Sequence, residues 1–255
     1  MNSNLIYDVG MCDGNDTAHY LSLGFKVISI EANPLLAEMG KRRFDRQIQS
    51  GQLTILNIGI ADRIATIPFW VNERRAEWSS FMKEIGCRDG TPCHSIEVHC
   101  NRMEDVFSHY GVPYYLKIDI EGHDHLCLHG LFENDLPQYV SCEACHVEWL
   151  DILYQKGYRK FKLINQADQF RPVKLNRERL PFRDQWLKVN NGIKKRWQNI
   201  FKVKYPYNSS GPFGEATKGE WMNYDEVKKL FLDFERGTNG KRTNEVSWFD
   251  FHASR

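Results

Sequence analysis

A chain of 255 residues, 42% hydrophobic and 26% charged, is long enough for one large α/β domain with a sizeable core and carries no bias towards disorder. Its formal charge of +1 excludes a strong general attraction to nucleic acid or acidic membrane. No apolar run approaches bilayer length, and "MNSNLIYDVG" enters a strand with no room for a signal peptide, so a cytoplasmic protein with no membrane partner is expected.

The first run, "NLIYDVG" (4–10), predicts a strand, and "DTAHYLSLG" (16–24) a helix with a glycine stop. "KVISIEA" (26–32) predicts a second strand, "PLLAEMGKRRFDRQIQSG" (34–51) a helix with proline near its start, and "LTILNIGIAD" (53–62) a third strand. Strands alternating with helices indicate a mostly parallel sheet covered on both faces. At about 63–100 the rhythm gives way to a β-rich excursion, with extended segments at "ATIPFWV" (65–71) and "HSIEVHC" (94–100). It returns with a helix at 102–110, the strand "YYLKIDI" (114–120) and a helix starting at His123 or Asp124. A strand at 138–144, a helix at 146–157 and a strand at 158–165 follow. Beyond an insertion at about 166–245, which includes a helix at 223–237, "EVSWFDFHA" (245–253) closes a single domain of residues 1–255 as its last strand.

Cys12, Cys87, Cys93, Cys100, Cys127, Cys142 and Cys145 form an odd set without paired spacing, which predicts free thiols in a reducing compartment. Cys142 and Cys145 make a C-x-x-C, but the first sits in a buried strand, where cysteine serves as a small apolar residue. Cys87, Cys93, His94, His99 and Cys100 lack the second C-x-x-C or H-x-x-x-H of a structural zinc site, and no metal site is assigned.

The turn after the first strand, "DVGMCDGND", is where α/β sheets bind nucleotide-like ligands, because glycine lets a ligand approach the backbone. It lacks G-x-G-x-x-G: Gly10 and Gly14 are four apart, amid Asp8, Asp13 and Asp16. Those acids would repel a dinucleotide pyrophosphate and suit a cationic ligand such as S-adenosylmethionine, with its sulfonium and ammonium. Glu31, 21 residues after Gly10 at the end of the second strand, is placed to accept from both ribose hydroxyls. Taken singly, each feature also fits a plain βαβ turn with surface acids.

"DVGMCDGNDTAHYLSLGFKVISIEANP" and "LKIDIEGHDHLCLHGL" together resemble the FkbM family of class I S-adenosylmethionine-dependent methyltransferases. The resemblance runs through residues 5–165 and reappears at "SGPFGE" and "WFDFHA"; Asp124 stands where the family mostly has glutamate. It implies a Rossmann-like seven-stranded, mostly parallel sheet with an antiparallel last strand. It also implies O-methyl transfer, often to sugar or natural-product hydroxyls. Carried over residue by residue, it implies that Asp8, Gly10, Gly14, Asp16 and Thr17 line the methionine and ribose of the cofactor, with Glu31 on the ribose. Ala32 and Asn33 would flank the adenine, Ile60 would pack on it, and Asp62 would accept from its amino group; Ile60 fits core packing as well.

Ligands of open α/β sheets sit beyond the carboxyl ends of the strands. Asp119 at such an end should therefore face the cleft, with Glu121, His123 and, from the next strand, Glu143 as the further catalytic candidates. An acceptor hydroxyl needs a base, or a divalent metal that lowers its pKa. Asp119 suits the cofactor amine or a cation, and Glu121 or His123 the acceptor; Glu121 and Asp124 could instead complement the N-terminus of the following helix. His125 and His129 have apolar helical neighbours and are not assigned to catalysis. The insertion, with "SSGPFGEATKGEW" as a loop over the cleft, and the element Trp78, Ser79 and Ser80 are the candidates for a small-molecule or glycan acceptor. The function expected is methylation of a hydroxyl on a sugar, glycan or related natural product. An NAD-dependent oxidoreductase and a non-catalytic S-adenosylmethionine-binding module are the alternatives.

Overall fold

The computed structural model describes residues 1–166, 170–173, 205, 209–236 and 248–255. Of the expected insertion, residues 167–169, 174–204, 206–208 and 237–245 lie outside the described residues.

The main sheet contains β1 (Asn2–Val9), β2 (Lys26–Ile30), β3 (Leu53–Leu56), β7 (Pro113–Ile118), β8 (Tyr139–Glu143), β9 (Lys160–Asn165), β10 (Arg171–Pro172) and β11 (Phe249–Ser254). Their order is β10-β9-β11-β8-β7-β1-β2-β3. The pairs from β8 through β7, β1 and β2 to β3 are parallel, and β11 runs antiparallel between β8 and β9. The antiparallel last strand is thus as expected, and the eighth strand is the two-residue β10 on the edge of β9.

Helices α1 (Asn15–Ser22), α2 (Pro34–Arg43), α3 (Asp45–Gln49), α5 (Met103–Tyr110), α6 (Asp124–His129), α7 (Val147–Lys156) and α8 (Tyr224–Arg236) accompany this sheet. Successive strand side chains point to opposite faces, so a strand buried on both sides reads as a continuous apolar run. Leu5, Tyr7 and Val9 of β1 accordingly join one buried cluster with α5 to α8, and Ile6 joins another with α1 and Phe44.

Three expectations change. The single helix expected over 34–51 breaks at Phe44 (φ −112°), whose ring turns into the second cluster and packs on Gly14. The strand expected over 53–62 splits after Leu56: Asn57 donates to the carbonyls of Glu31 and Ala32, which ends the ladder. β4 (Gly59–Ile60) then leaves for a second sheet of order β4-β6-β5, built with β5 (Ala65–Asn72) and β6 (Cys93–Asn101).

The third change concerns the thiols: Cys87 and Cys93 form a disulfide, with Cα atoms 5.4 Å apart, while Cys12, Cys100, Cys127, Cys142 and Cys145 are free. A short helix α4 (Lys83–Gly86) leads into a 3-10 turn, Arg88–Gly90, where Asp89 (φ 56°) and Gly90 (φ 64°) reverse the chain and bring the first residue of β6 back to Cys87. Spacing could not show this closure, and the thiol argument for a reducing compartment loses this pair. No helix among the described residues is long and apolar enough to cross a membrane.

Candidate functional site

Beyond the carboxyl ends of β1, β2, β7 and β8 lies a cavity of about 960 Å³, within the range of small-molecule sites. The connection between β5 and β6 covers it with Arg75, Trp78 and Arg88. Phe231 and Phe234 from α8 and Trp248 beside β11 wall its far end.

The turn after β1 is held by Gly10 and Met11, whose amides both donate to the Ile30 carbonyl, at 2.9 and 3.1 Å. Gly10 has φ 84°, and a Cβ there would collide with the backbone carbonyl of Asp119, so the close approach of the chain beyond the ends of β1 and β7 requires glycine. Glu31 joins two turns: one carboxylate oxygen accepts from the Cys12 amide and the other from the Asn33 amide, each at 2.8 Å. Burial pushes its pKa up to about 7, against the lowering effect of those two bonds.

At the cavity wall, which Lys117 lines, the parallel register sets Asp8 beside Lys117, and the Lys117 ammonium lies 3.1 Å from the Asp8 carboxylate, both side chains being buried. The same ammonium donates to the Gly10 carbonyl at 2.8 Å and stands 3.8 Å from Asp119. Burial opposes the Lys117 charge, but Asp8, Asp119 and Asp16 outweigh it and hold its pKa well above the ordinary value. Thr17 donates to the other Asp8 oxygen at 2.6 Å and pairs with the Ser29 hydroxyl. Asp16 is occupied by the distant loop: the Ser210 amide donates to it at 2.9 Å, and the Ser209 hydroxyl donates as well.

After β7 the chain enters a carboxylate cluster. Glu121, at φ 51°, receives both terminal nitrogens of Arg88, at 3.0 Å each, and burial still raises its pKa to about 7. Glu143 is raised well above the ordinary glutamate value by burial, then by Glu121, Asp119 and Asp124. Asp124, in the first turn of α6, is fully buried, and burial is the main cause of a pKa of about 7.

The cavity therefore brings together Gly10, Asp16, Glu31, Ala32, Ile60, Asp119, Glu121 and Glu143 from the sequence-derived set. Ile60 serves twice, since it also belongs to the main buried cluster. Asp8, Gly14 and Thr17 do not reach the cavity and act as supports or turn residues. Asn33 spends its side chain capping α2, accepting from the Leu35 amide at 3.0 Å. Asp62 is exposed beside Arg63, and His123 stacks on Phe81 with ring centroids 5.3 Å apart; neither lines the cavity. Lys117, Arg88 and Cys12 were not anticipated. Lys117 had a signal, a lysine among the apolar residues of "YYLKI" in a buried strand, which implies carboxylate partners.

Residues 8–160 match the FkbM methyltransferase domain. No curated protein matches the chain. Among solved structures, a methyltransferase FkbM from Methylobacillus flagellatus is similar at 15% identity and TM-score 0.40 over 56% of this chain and 33% of its own. The chain thus spans about a third of that protein's length. An O-methyltransferase of a trans-AT PKS multienzyme from Brevibacillus brevis, in complex with S-adenosyl-L-homocysteine, is 14% identical over 99% of this chain and 66% of its own, at TM-score 0.39. A SAM-dependent methyltransferase from Thiobacillus denitrificans, also in complex with S-adenosyl-L-homocysteine, is 12% identical over 99% and 86%, at TM-score 0.36. With the domain match extending from Asp8 in the first strand to Lys160 in β9, through the turn of Gly10 and Gly14 and the carboxylate cluster, the chain belongs to the FkbM methyltransferase family.

Proposed function

We propose that this chain is an S-adenosylmethionine-dependent O-methyltransferase acting on a hydroxyl of a sugar, glycan or related natural product. The observation that carries the proposal is Glu31, held by two backbone amides at the rim of a cavity that also contains Asp119, Glu121 and Glu143. When bound, S-adenosylmethionine supplies a methyl group on a sulfonium, open to in-line displacement.

The residues present fit that ligand. Gly10 lines the cavity at the turn after β1, and ionised Glu31 accepts from ribose hydroxyls. Asp119, with its side chain 28% exposed, provides a carboxylate for the amine. Glu121 takes the acceptor proton in this scheme, because a carboxylate with a pKa of about 7 is matched to base catalysis near neutrality. The Arg75 and Arg88 guanidiniums lie 4.5 and 4.3 Å from the Trp78 ring, giving an aromatic face with cationic donors that suits a sugar ring or an anionic substituent.

Calorimetry with S-adenosylmethionine and with NAD, followed by single-turnover methyl transfer over a panel of glycans, tests the proposal. Binding of the first ligand and turnover of a hydroxyl acceptor are expected; binding of NAD alone would overturn it. Glu121→Gln should slow transfer by about 10²–10⁴-fold with little change in cofactor affinity. A near-normal rate would remove Glu121 as the base. Loss of activity with a chelator, restored by magnesium, would assign the activation to a divalent ion instead.

A further inference from the structure

Glu121 holds a backbone conformation that β-carbon sterics disfavour, at φ 51°, and the connection between β5 and β6 grips it at two points. The Ser80 hydroxyl donates to its carbonyl oxygen at 2.7 Å. Arg88 donates to both carboxylate oxygens at 3.0 Å, a bidentate fork that fixes direction as well as charge. Arg88 is itself anchored on each side. Thr91 donates to its carbonyl at 2.7 Å, and its preceding residue, Cys87, is bonded to Cys93 at the start of β6.

We propose that Arg88 is a positioning residue that aims the Glu121 carboxylate into the cavity, and that the Cys87–Cys93 disulfide is the tether that holds Arg88 in place. The clamp stands on geometry alone; its consequence for methyl transfer rests on the function proposed above. Among the described residues, Glu121 faces acidic groups besides Arg88: Asp119 on its own strand end, Glu77 in the covering connection, Asp124 in α6, Glu143 at the end of β8 and Cys145 just after it. Arg88 opposes them through its fork and its charge, so its departure would leave Glu121 protonated and free to rotate. The tether is open to a dithiol reductant. The dithiol gives two electrons and two protons, the Cys87 Sγ–Cys93 Sγ bond breaks, two thiols form on this chain, and the dithiol closes into its own disulfide.

The Glu121 carboxyl can be followed by NMR in protein labelled with ¹³C at glutamate carboxyls, with Glu121→Gln identifying its resonance. In oxidised protein the midpoint should lie near 7. Arg88→Ala should raise it by about one to three pH units, and Arg88→Lys, which keeps the charge without the fork, should recover part of that shift. Reduction with dithiothreitol, and the pair Cys87→Ser with Cys93→Ser, should each move it upward as well. An unchanged midpoint in folded Arg88→Ala would overturn the positioning role, and an unchanged midpoint after reduction would overturn the tether. The reduction arm does not depend on Arg88→Ala and so remains decisive for the tether if that variant does not fold, while Arg88→Lys keeps the positioning role open to test. Calorimetry with S-adenosylmethionine on the same samples separates the two proposals: absence of binding to the unmodified protein removes the proposed function and leaves the clamp to the titration.

Discussion

Glu31→Gln should weaken S-adenosylmethionine binding more than tenfold at pH 8, because hydrogen bonds to a charged acceptor are worth about 1.5–3 kcal/mol each. The same change leaves one of the Cys12 and Asn33 amides facing an amide donor, so folded stability should also fall by about 1–3 kcal/mol. The pH dependence gives a second handle. Burial lifts the Glu31 pKa from 4.5 to about 7, so the folded protein keeps a proton that the unfolded chain has lost. Its contribution to stability is therefore fully present below about 4.5 and is lost as pH rises through about 7. Glu121 and Asp124, each raised to about 7, act in the same direction. Ligand binding through the ionised form of Glu31 runs the other way. Affinity should rise between pH 6 and pH 8, with proton release, and the rise should shrink in Glu31→Gln. Calorimetry at the two pH values in buffers of different ionisation heat checks both; equal affinities for the variant and the parent would take Glu31 out of the site.

Lys117→Met should destabilise the protein by about 3–5 kcal/mol, the cost of leaving a buried charge without its partner. In a chain of 255 residues this corresponds to a melting temperature lower by on the order of 10 °C. Lys117 holds Asp8 at 3.1 Å and the Gly10 carbonyl at 2.8 Å, so its loss also loosens the turn that the cofactor would approach. Adding Asp8→Asn should restore part of the stability, since the double variant no longer buries an uncompensated carboxylate. Urea denaturation of the two single variants and the double variant measures the coupling. A loss below about 1 kcal/mol in Lys117→Met would show that the pair is not energetically important.

Much of this arrangement was legible along the chain because it depends on neighbours in sequence. Apolar runs of strand length, the helix after Gly14, the proline at the start of α2 and Glu31 at the end of β2 are local features, and local sterics and burial dictate them. The turn glycines and the Asp119–Glu121 strand end were read in the same way. Other parts required the folded chain. The Asp8–Lys117 pair depends on the register of β1 against β7, which closes across 109 positions, and no periodicity within either strand specifies a register between them. Ser210 reaches Asp16 across 194 positions, and Arg88 reaches Glu121 across 33, each through a loop whose path is set by packing at both ends. His123 and Glu121 looked equivalent in "DIEGHDH", yet the left-handed turn at Glu121 and Gly122 sends one side chain to the cavity and lays the other against Phe81. The Cys87–Cys93 bond belongs with these, because two positive-φ residues in the intervening turn decide whether the sulfurs meet. Strand identity and turn chemistry follow from short-range sterics and burial, whereas the partners of a buried charge follow from register and chain reversal, which are properties of the assembled sheet.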